Sequence, residues 1–118
     1  MRAVIHLWNL GYIHGDLRPP NILFIDEGLL KLCDFGGTVK IGALLAVRHI
    51  PFWAGHCEEA GIESEQFALA SLFYNIITRS APFSDAEAYD IFDLIDDEQF
   101  PSICSENFKC FECLTLII

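Results

Sequence analysis

Two short apolar runs, residues 22–25 and 29–33, flank Asp26-Glu27-Gly28, and no other feature of the chain restricts its fold as tightly. Apolar runs of this length around an acidic-glycine turn predict a β-hairpin. A hairpin returns its second end to its first. The polar loop before it (residues 14–21) and Asp34-Phe35-Gly36 after it are therefore expected side by side. Asp16, Asn21 and Asp34 then meet at one end of a two-stranded ribbon. Two carboxylates and an amide oxygen in one polar spot suit a hard cation. Mg²⁺ takes oxygen ligands, commonly one or two carboxylates, with phosphate and water filling the rest of its shell. Taken singly, Asp16 and Asp34 read as solvated loop residues and Asn21 as a turn cap.

The set has a spacing that resembles the catalytic core of the protein kinases. Their catalytic loop reads His-Arg-Asp-Leu with an Asn downstream, and their magnesium loop reads Asp-Phe-Gly after a hairpin. Here His14-Gly15-Asp16-Leu17-Arg18-Pro19-Pro20-Asn21 and Asp34-Phe35-Gly36 stand in those places. The resemblance implies that Asp16 orients an acceptor hydroxyl and takes its proton. It implies that Arg18, where the family usually has lysine, lies near the transferred phosphate. Asn21 and Asp34 would hold magnesium, and the Asp34-Phe35-Gly36 loop would belong to the ATP site. Two such motifs joined by a hairpin of fitting length carry far more information than either alone.

Composition fits a globular domain. The chain has 118 residues, 53% hydrophobic content and a mean hydropathy of +0.36, enough for one small domain with a real core. No apolar run reaches the length of a membrane span, and Met1-Arg2 is followed by no small-residue cleavage site, so neither a span nor a signal peptide is expected. Net charge is −10 and unevenly placed: residues 1–56 hold five Lys/Arg against four Asp/Glu, and residues 57–118 hold two against thirteen. An acidic second half repels phosphate backbones and argues against nucleic acid as a partner. The acidic run over residues 85–98 reads as a solvated helix face. Five cysteines without regular spacing point to free thiols in a reducing, cytoplasmic setting. Cys110-x-x-Cys113 is half of a zinc motif with no second half.

Along the chain, residues 3–11 place Val4, Leu7, Trp8 and Leu10 at helical spacing, with Gly11 as a stop. In the family this is the end of the helix that leads into the catalytic loop, so the chain is expected to begin inside that helix. Residues 63–79 form the strongest helical pattern. Phe67, Leu69, Leu72, Phe73, Ile76 and Ile77 give an apolar face wide enough for burial on most sides, and Ser64 suits an N-cap. This segment, followed by Ala81-Pro82-Phe83, resembles the central helix of the kinase large lobe. There an Asp fastens the backbone of the catalytic loop; Glu65 takes that place with one more methylene. A further helix is expected over residues 86–100, with Tyr89, Phe92 and Ile95 on one side, and a last one over residues 107–116.

Departures from the family pattern are informative. Residues 37–61 have no periodicity, and the family's Ala-Pro-Glu is reduced to Ala54-Gly55-His56. The arginine before the catalytic Asp is Gly15, and the only hydroxyl in residues 37–61 is Thr38. A phosphate site and its reader are both scarce there, which predicts that phosphorylation of this segment is not its control. The family's Gly-rich loop, strand lysine and helix glutamate find no match, and Gly-x-Gly-x-x-Gly is absent from the sequence.

The expectation is a mainly α fold with a small β-hairpin (α+β). Residues 1–118 would form one partial kinase domain, resembling an incomplete large lobe of a Ser/Thr protein kinase. ATP and Mg²⁺ are the implied cofactors, and a protein substrate or partner protein is the implied partner. Two other functions remain open. Small-molecule phosphotransferases of the aminoglycoside or choline type share His-Gly-Asp-Leu and so suit Gly15. A non-catalytic pseudokinase module would dock through exposed apolar surface.

Overall fold

A computed structural model describes residues 2–25 and 28–101. Asp26 and Glu27 of the hairpin turn lie outside the described residues, as do Cys104, Cys110, Cys113 and the helix expected over residues 107–116. The chain opens with α1 (Arg2–Asn9) and β1 (Tyr12–Ile13). A 3₁₀ turn (Pro19–Asn21) leads into β2 (Ile22–Ile25) and β3 (Leu29–Leu32). A second 3₁₀ turn (Phe35–Gly37) precedes β4 (Val39–Lys40), and then come α2 (Ile62–Thr78) and α3 (Asp90–Asp96). Among the described residues, three helices and two small antiparallel sheets are compatible with the expected mainly α class with a hairpin.

The hairpin forms where the apolar runs place it. β2 and β3 pair antiparallel in the register Ile22↔Leu32 through Ile25↔Leu29. The second sheet was not legible in the sequence: β1 pairs with β4 through Tyr12↔Lys40 and Ile13↔Val39. This pairing lays the segment after the hairpin across the start of the catalytic-type loop. An isolated bridge, Leu44↔Glu59, closes residues 41–61 into a loop of its own.

α2 is the post around which the chain packs. From Ser64 to Leu72 every residue but Gln66 is buried. On one flank Phe67 and Ala70 join Ala54, Phe83, Ile91 and Ile95; on the other Ala68 and Leu69 join Val4 and Leu17. A third small cluster joins Ile13, Leu45 and Ala60. Each such large apolar side chain taken out of water contributes about 1.5–3 kcal/mol. Burial on both flanks bears out the reading of a helix buried on most sides, but only over its first part. Ile76 and Ile77 are exposed, because the last turns of α2 run past the clusters. The helix ends at Arg79, whose left-handed backbone (φ 59°) closes the last turn with an N–H donated to the Asn75 carbonyl.

Three local expectations need correction. Ser64 is not the N-cap of α2; Gly61 is. Ser64 lies one turn in, where its Oγ accepts the Gly61 N–H at 3.1 Å and donates to the Gly61 carbonyl at 2.8 Å. The helix expected over residues 86–100 is only Asp90–Asp96. Turns precede it, with Ala86 N–H bonded to the Phe83 carbonyl, and Glu98 ends it in the left-handed region at φ 56°. Its buried stripe is Ile91 and Ile95, one turn apart, whereas Tyr89 is 71% exposed. Leu10 also points to solvent, beyond the end of α1, where Gly11 turns the chain at φ +81°.

The ribbon is apolar and open. Leu23, Phe24, Leu29 and Leu30 are all exposed large hydrophobic residues. A cavity of about 390 Å³ runs between α1, the ribbon and α2, lined by Val4, Leu17, Leu32, Leu72 and Phe73 among others. Among the described residues no helix is long and apolar enough to cross a membrane.

Candidate active site

Asp16 is the centre of the polar end of the ribbon. Its side chain is 8% exposed and both oxygens are engaged. Asn21 Nδ2 donates to Asp16 Oδ2 and to the Asp16 carbonyl, both at 2.8 Å. Arg18 Nε donates to Oδ1 at 3.0 Å and to Oδ2 at 3.2 Å. The 3₁₀ turn at Pro19–Asn21 makes this possible, since it folds Asn21 back over the loop it ends. With its NH₂ group committed to Asp16, Asn21 keeps its amide oxygen for another partner.

The loop after the ribbon is tied to the loop before it. Cys33 N–H donates to the Asn21 carbonyl at 3.0 Å, and His14 Nε2 lies 3.0 Å from the Cys33 carbonyl. Asp16 N–H reaches His14 Nδ1 at 3.3 Å, so the tautomer with its proton on Nε2 satisfies both ring nitrogens. The His14 and Phe35 rings meet at 5.2 Å between centroids. Gly15 and Gly37 approach backbone to backbone: a Cβ built on Gly15 would lie 2.2 Å from the Gly37 carbonyl oxygen. Asp34 sits in the left-handed region at φ 58°, and its Oδ1 accepts the Gly36 N–H at 3.3 Å. The carboxylate is otherwise open to solvent. The geometry therefore places Asp16, Asn21 and the Asp34-Phe35-Gly36 loop at one end of the ribbon.

A carboxylate and an amide oxygen are hard oxygen donors of the kind Mg²⁺ takes, and two protein ligands leave room for phosphate and water. Among the described residues no cluster of three or more His, Cys, Asp or Glu is placed to hold a metal by itself. The Asn21 amide oxygen and the Asp34 carboxylate are donors of the type that Mg²⁺ takes.

Glu65 anchors the loop from below. It is 1% exposed, and its Oε1 and Oε2 accept the N–H groups of His14 at 2.8 Å and Gly15 at 3.1 Å. The longer side chain at this position reaches both amides. Burial pushes the Glu65 carboxyl above its ordinary value of 4.5; the Gly15 and His14 N–H donors and the His14 ring oppose that rise. The folded chain then holds this proton more tightly than the unfolded chain does. The part of Glu65's contribution to stability that comes from this raised value is complete below pH 4.5 and is lost as pH climbs from there through the raised folded value, while the two N–H bonds remain. Urea unfolding of wild type and Glu65→Gln, measured from about pH 4 to 7, should show the wild-type advantage shrinking with pH. An advantage that grows with pH would contradict the assigned shift.

The segment after the ribbon is held by packing. Thr38, the only hydroxyl of residues 37–61, donates Oγ1–H to the His14 carbonyl at 3.2 Å and is partly buried. Trp53 Nε1 donates to the Cys57 carbonyl at 2.7 Å, and its ring meets Phe92 edge-on at 5.7 Å. Ser71 of α2 donates to the Pro51 carbonyl at 3.0 Å. Ala54 is buried against Phe67 and Phe83. From this segment His49 brings Nε2 to 4.0 Å from Asp16 Oδ1. Nothing near Asp16 in the sequence announces His49, which arrives from more than thirty positions away.

Both free cysteines among the described residues, Cys33 and Cys57, are partly buried. Burial and the nearby Glu63 carboxylate raise the Cys57 thiol, which disfavours a thiolate.

A partly buried aspartate is thus held by an asparagine, with the Asp34-Phe35-Gly36 loop beside it and the two-stranded ribbon between the two loops. The model of the protein kinase domain family matches residues 1–112. The chain belongs to the protein kinase family. It is similar to Cell division control protein 7 of Schizosaccharomyces pombe, 28% identical over 94% of this chain and 11% of that protein. It is similar to 3-phosphoinositide-dependent protein kinase B of Dictyostelium discoideum, 30% identical over 98% of this chain and 14% of that protein. With 3-phosphoinositide-dependent protein kinase 1 of Arabidopsis thaliana it shares 27% identity over 88% of its length and 25% of the relative. The chain thus spans between a tenth and a quarter of the length of these relatives.

Proposed function

We propose that this chain carries the acceptor-and-metal half of a kinase site, for phosphoryl transfer from Mg·ATP to a serine or threonine hydroxyl of a protein. Asp16 receives the hydroxyl and its proton. Arg18, whose Nη groups have no partner among the described residues, faces the transferred phosphate. Asn21 and Asp34 hold Mg²⁺, which neutralises the phosphates when bound. The observation that carries this reading is the stitching of the two loops: Asp16 bonded to Asn21, and the Asn21 carbonyl bonded to Cys33 N–H beside Asp34. Relatives named as protein kinases favour a protein acceptor over a small alcohol.

The proposal extends to the chain's isolated state. Phosphoryl transfer is positioning and charge stabilisation, and positioning alone accounts for about 7–11 kcal/mol of a catalysed barrier. The 118 residues contain no Gly-x-Gly-x-x-Gly loop to clamp a nucleotide. They correspond to large-lobe elements, and by themselves they form a catalytically silent, pseudokinase-like unit. Free, partly buried thiols at Cys33 and Cys57 support a reducing, cytoplasmic setting. The test uses the 118-residue chain. Calorimetry should show Mg²⁺-dependent nucleotide binding that Asp34→Asn removes. Phosphate transfer to protein should not rise above an Asp16→Ala control. Binding that survives Asp34→Asn rejects the metal assignment, and Asp16-dependent transfer rejects the silence of the isolated chain.

A further inference from the structure

The chain is strongly acidic, at −10, yet a guanidinium and an imidazole frame the Asp16 carboxylate. Arg18 bonds Oδ1 through Nε and is 29% exposed. His49 approaches the same oxygen at 4.0 Å and is 51% exposed. Its neighbour Arg48 lies over the Trp53 ring, 5.4 Å from the centroid, and is exposed. No carboxylate pairs with Arg48 among the described residues, and Asp16 alone faces Arg18 and His49. The Trp53 ring that Arg48 covers is itself fixed by the Cys57 carbonyl and Phe92, so the guanidinium is presented from a rigid base. Stacking on an aromatic face leaves the edge of a guanidinium free to bond a carboxylate.

We infer that Arg48 and His49 select acceptor segments whose hydroxyl is flanked by carboxylates. The inference rests on the reading of Asp16 as the group that receives the hydroxyl. His49 lies 4.0 Å from Oδ1 and Arg48 precedes it in the chain, so acceptor residues beside a hydroxyl at Oδ1 come to lie near both. Glutamate or aspartate there meets the opposite charge of the Arg48 guanidinium and an N–H donor of His49. Lysine or arginine there meets like charge, and like charges set together at an interface cost much of the binding. Local sign, not the net charge of the protein, decides the preference, because charges beyond about 10 Å are screened at ordinary salt.

The test is binding of dye-labelled serine peptides to the 118-residue chain, followed by fluorescence anisotropy with Mg·ATP present and absent. The peptides differ only in their flanks: glutamate, alanine or lysine. The glutamate peptide should bind roughly tenfold more tightly than the lysine peptide at low salt, and the ratio should fall as salt rises. Arg48→Gln with His49→Gln should bring the ratio towards one, and Arg48→Glu with His49→Glu should invert it, in variants whose circular dichroism matches wild type. A ratio near one in wild type overturns the inference. So does tighter binding of the lysine peptide, binding of none of the peptides, or a ratio unmoved in the glutamine variant. Nucleotide binding and peptide binding separate the two readings: a glutamate preference without Asp34-dependent binding of Mg·ATP keeps the selection and removes the kinase reading, and Asp34-dependent nucleotide binding with no peptide preference does the reverse.

Discussion

Glu65→Ala is expected to lower the unfolding free energy by about 3 kcal/mol, because it strands one buried and one partly buried amide at about 1–3 kcal/mol each. Those amides are the N–H groups of His14 and Gly15, which now donate to the two carboxylate oxygens at 2.8 and 3.1 Å. Part of the loss is returned, since burial of the carboxylate is itself unfavourable, as the raised carboxyl pKa reports. The balance still falls on the destabilising side: a carboxylate bonded by two N–H groups is partly compensated, and two bare N–H groups are not. For a small domain, typically stable by about 5–15 kcal/mol, a loss of this size is large. Urea unfolding followed by Trp fluorescence measures it, and native-state hydrogen exchange locates it. His14 and Gly15 amides should lose protection while those of β2 and β3 keep theirs. Unchanged protection at His14 and Gly15 would mean that Glu65 does not fasten the loop.

Gly15→Ala should cost about as much, near 3 kcal/mol, by combining left-handed backbone strain of about 1–2 kcal/mol with overpacking of about 1–3 kcal/mol. Gly15 sits at φ +77°, and its Cβ would stand 2.2 Å from the Gly37 carbonyl oxygen. That neighbour is backbone and cannot swing away like a side-chain tip. Gly11 supplies the control. It has nearly the same backbone, φ +81°, with nothing within 4 Å of a built Cβ. Gly11→Ala should therefore lose only the strain, about 1–2 kcal/mol. The difference between the two variants isolates the close approach of the two loops. Equal losses would show that Gly37 moves aside freely and that the loops are not locked together. The same contact explains why a bulky residue is excluded at position 15 in this chain.

What could be read ahead of the structure was the local part. The hairpin follows from two apolar runs around a turn, and pairing in the register Ile22↔Leu32 to Ile25↔Leu29 is what those runs favour. The helix around Phe67 followed from a periodic apolar face longer than any alternative. Where a pattern was short, local reading overshot. Residues 86–100 carried helical spacing, but the turns before Asp90 and the left-handed Glu98 cut the helix to Asp90–Asp96. Tyr89 fell off the buried face because Ile91 and Ile95 pack on Phe67 and Phe83. Ser64 looked like a cap because of its residue type, yet the chain entered the helix three residues earlier, at Gly61.

The sequence by itself determined the ribbon, the central helix and the identities of Asp16, Asn21 and Asp34, since each lies in a pattern a few residues long. Only the tertiary structure decided that Glu65 holds His14 and Gly15 across some fifty positions, that Thr38 is spent on the His14 carbonyl, and that His49 comes within 4.0 Å of Asp16. The physical reason is one of range. Turn chemistry and apolar periodicity act between near neighbours and leave a trace in the letters, whereas a hydrogen bond between distant segments depends on how whole elements pack, and single residues do not record that.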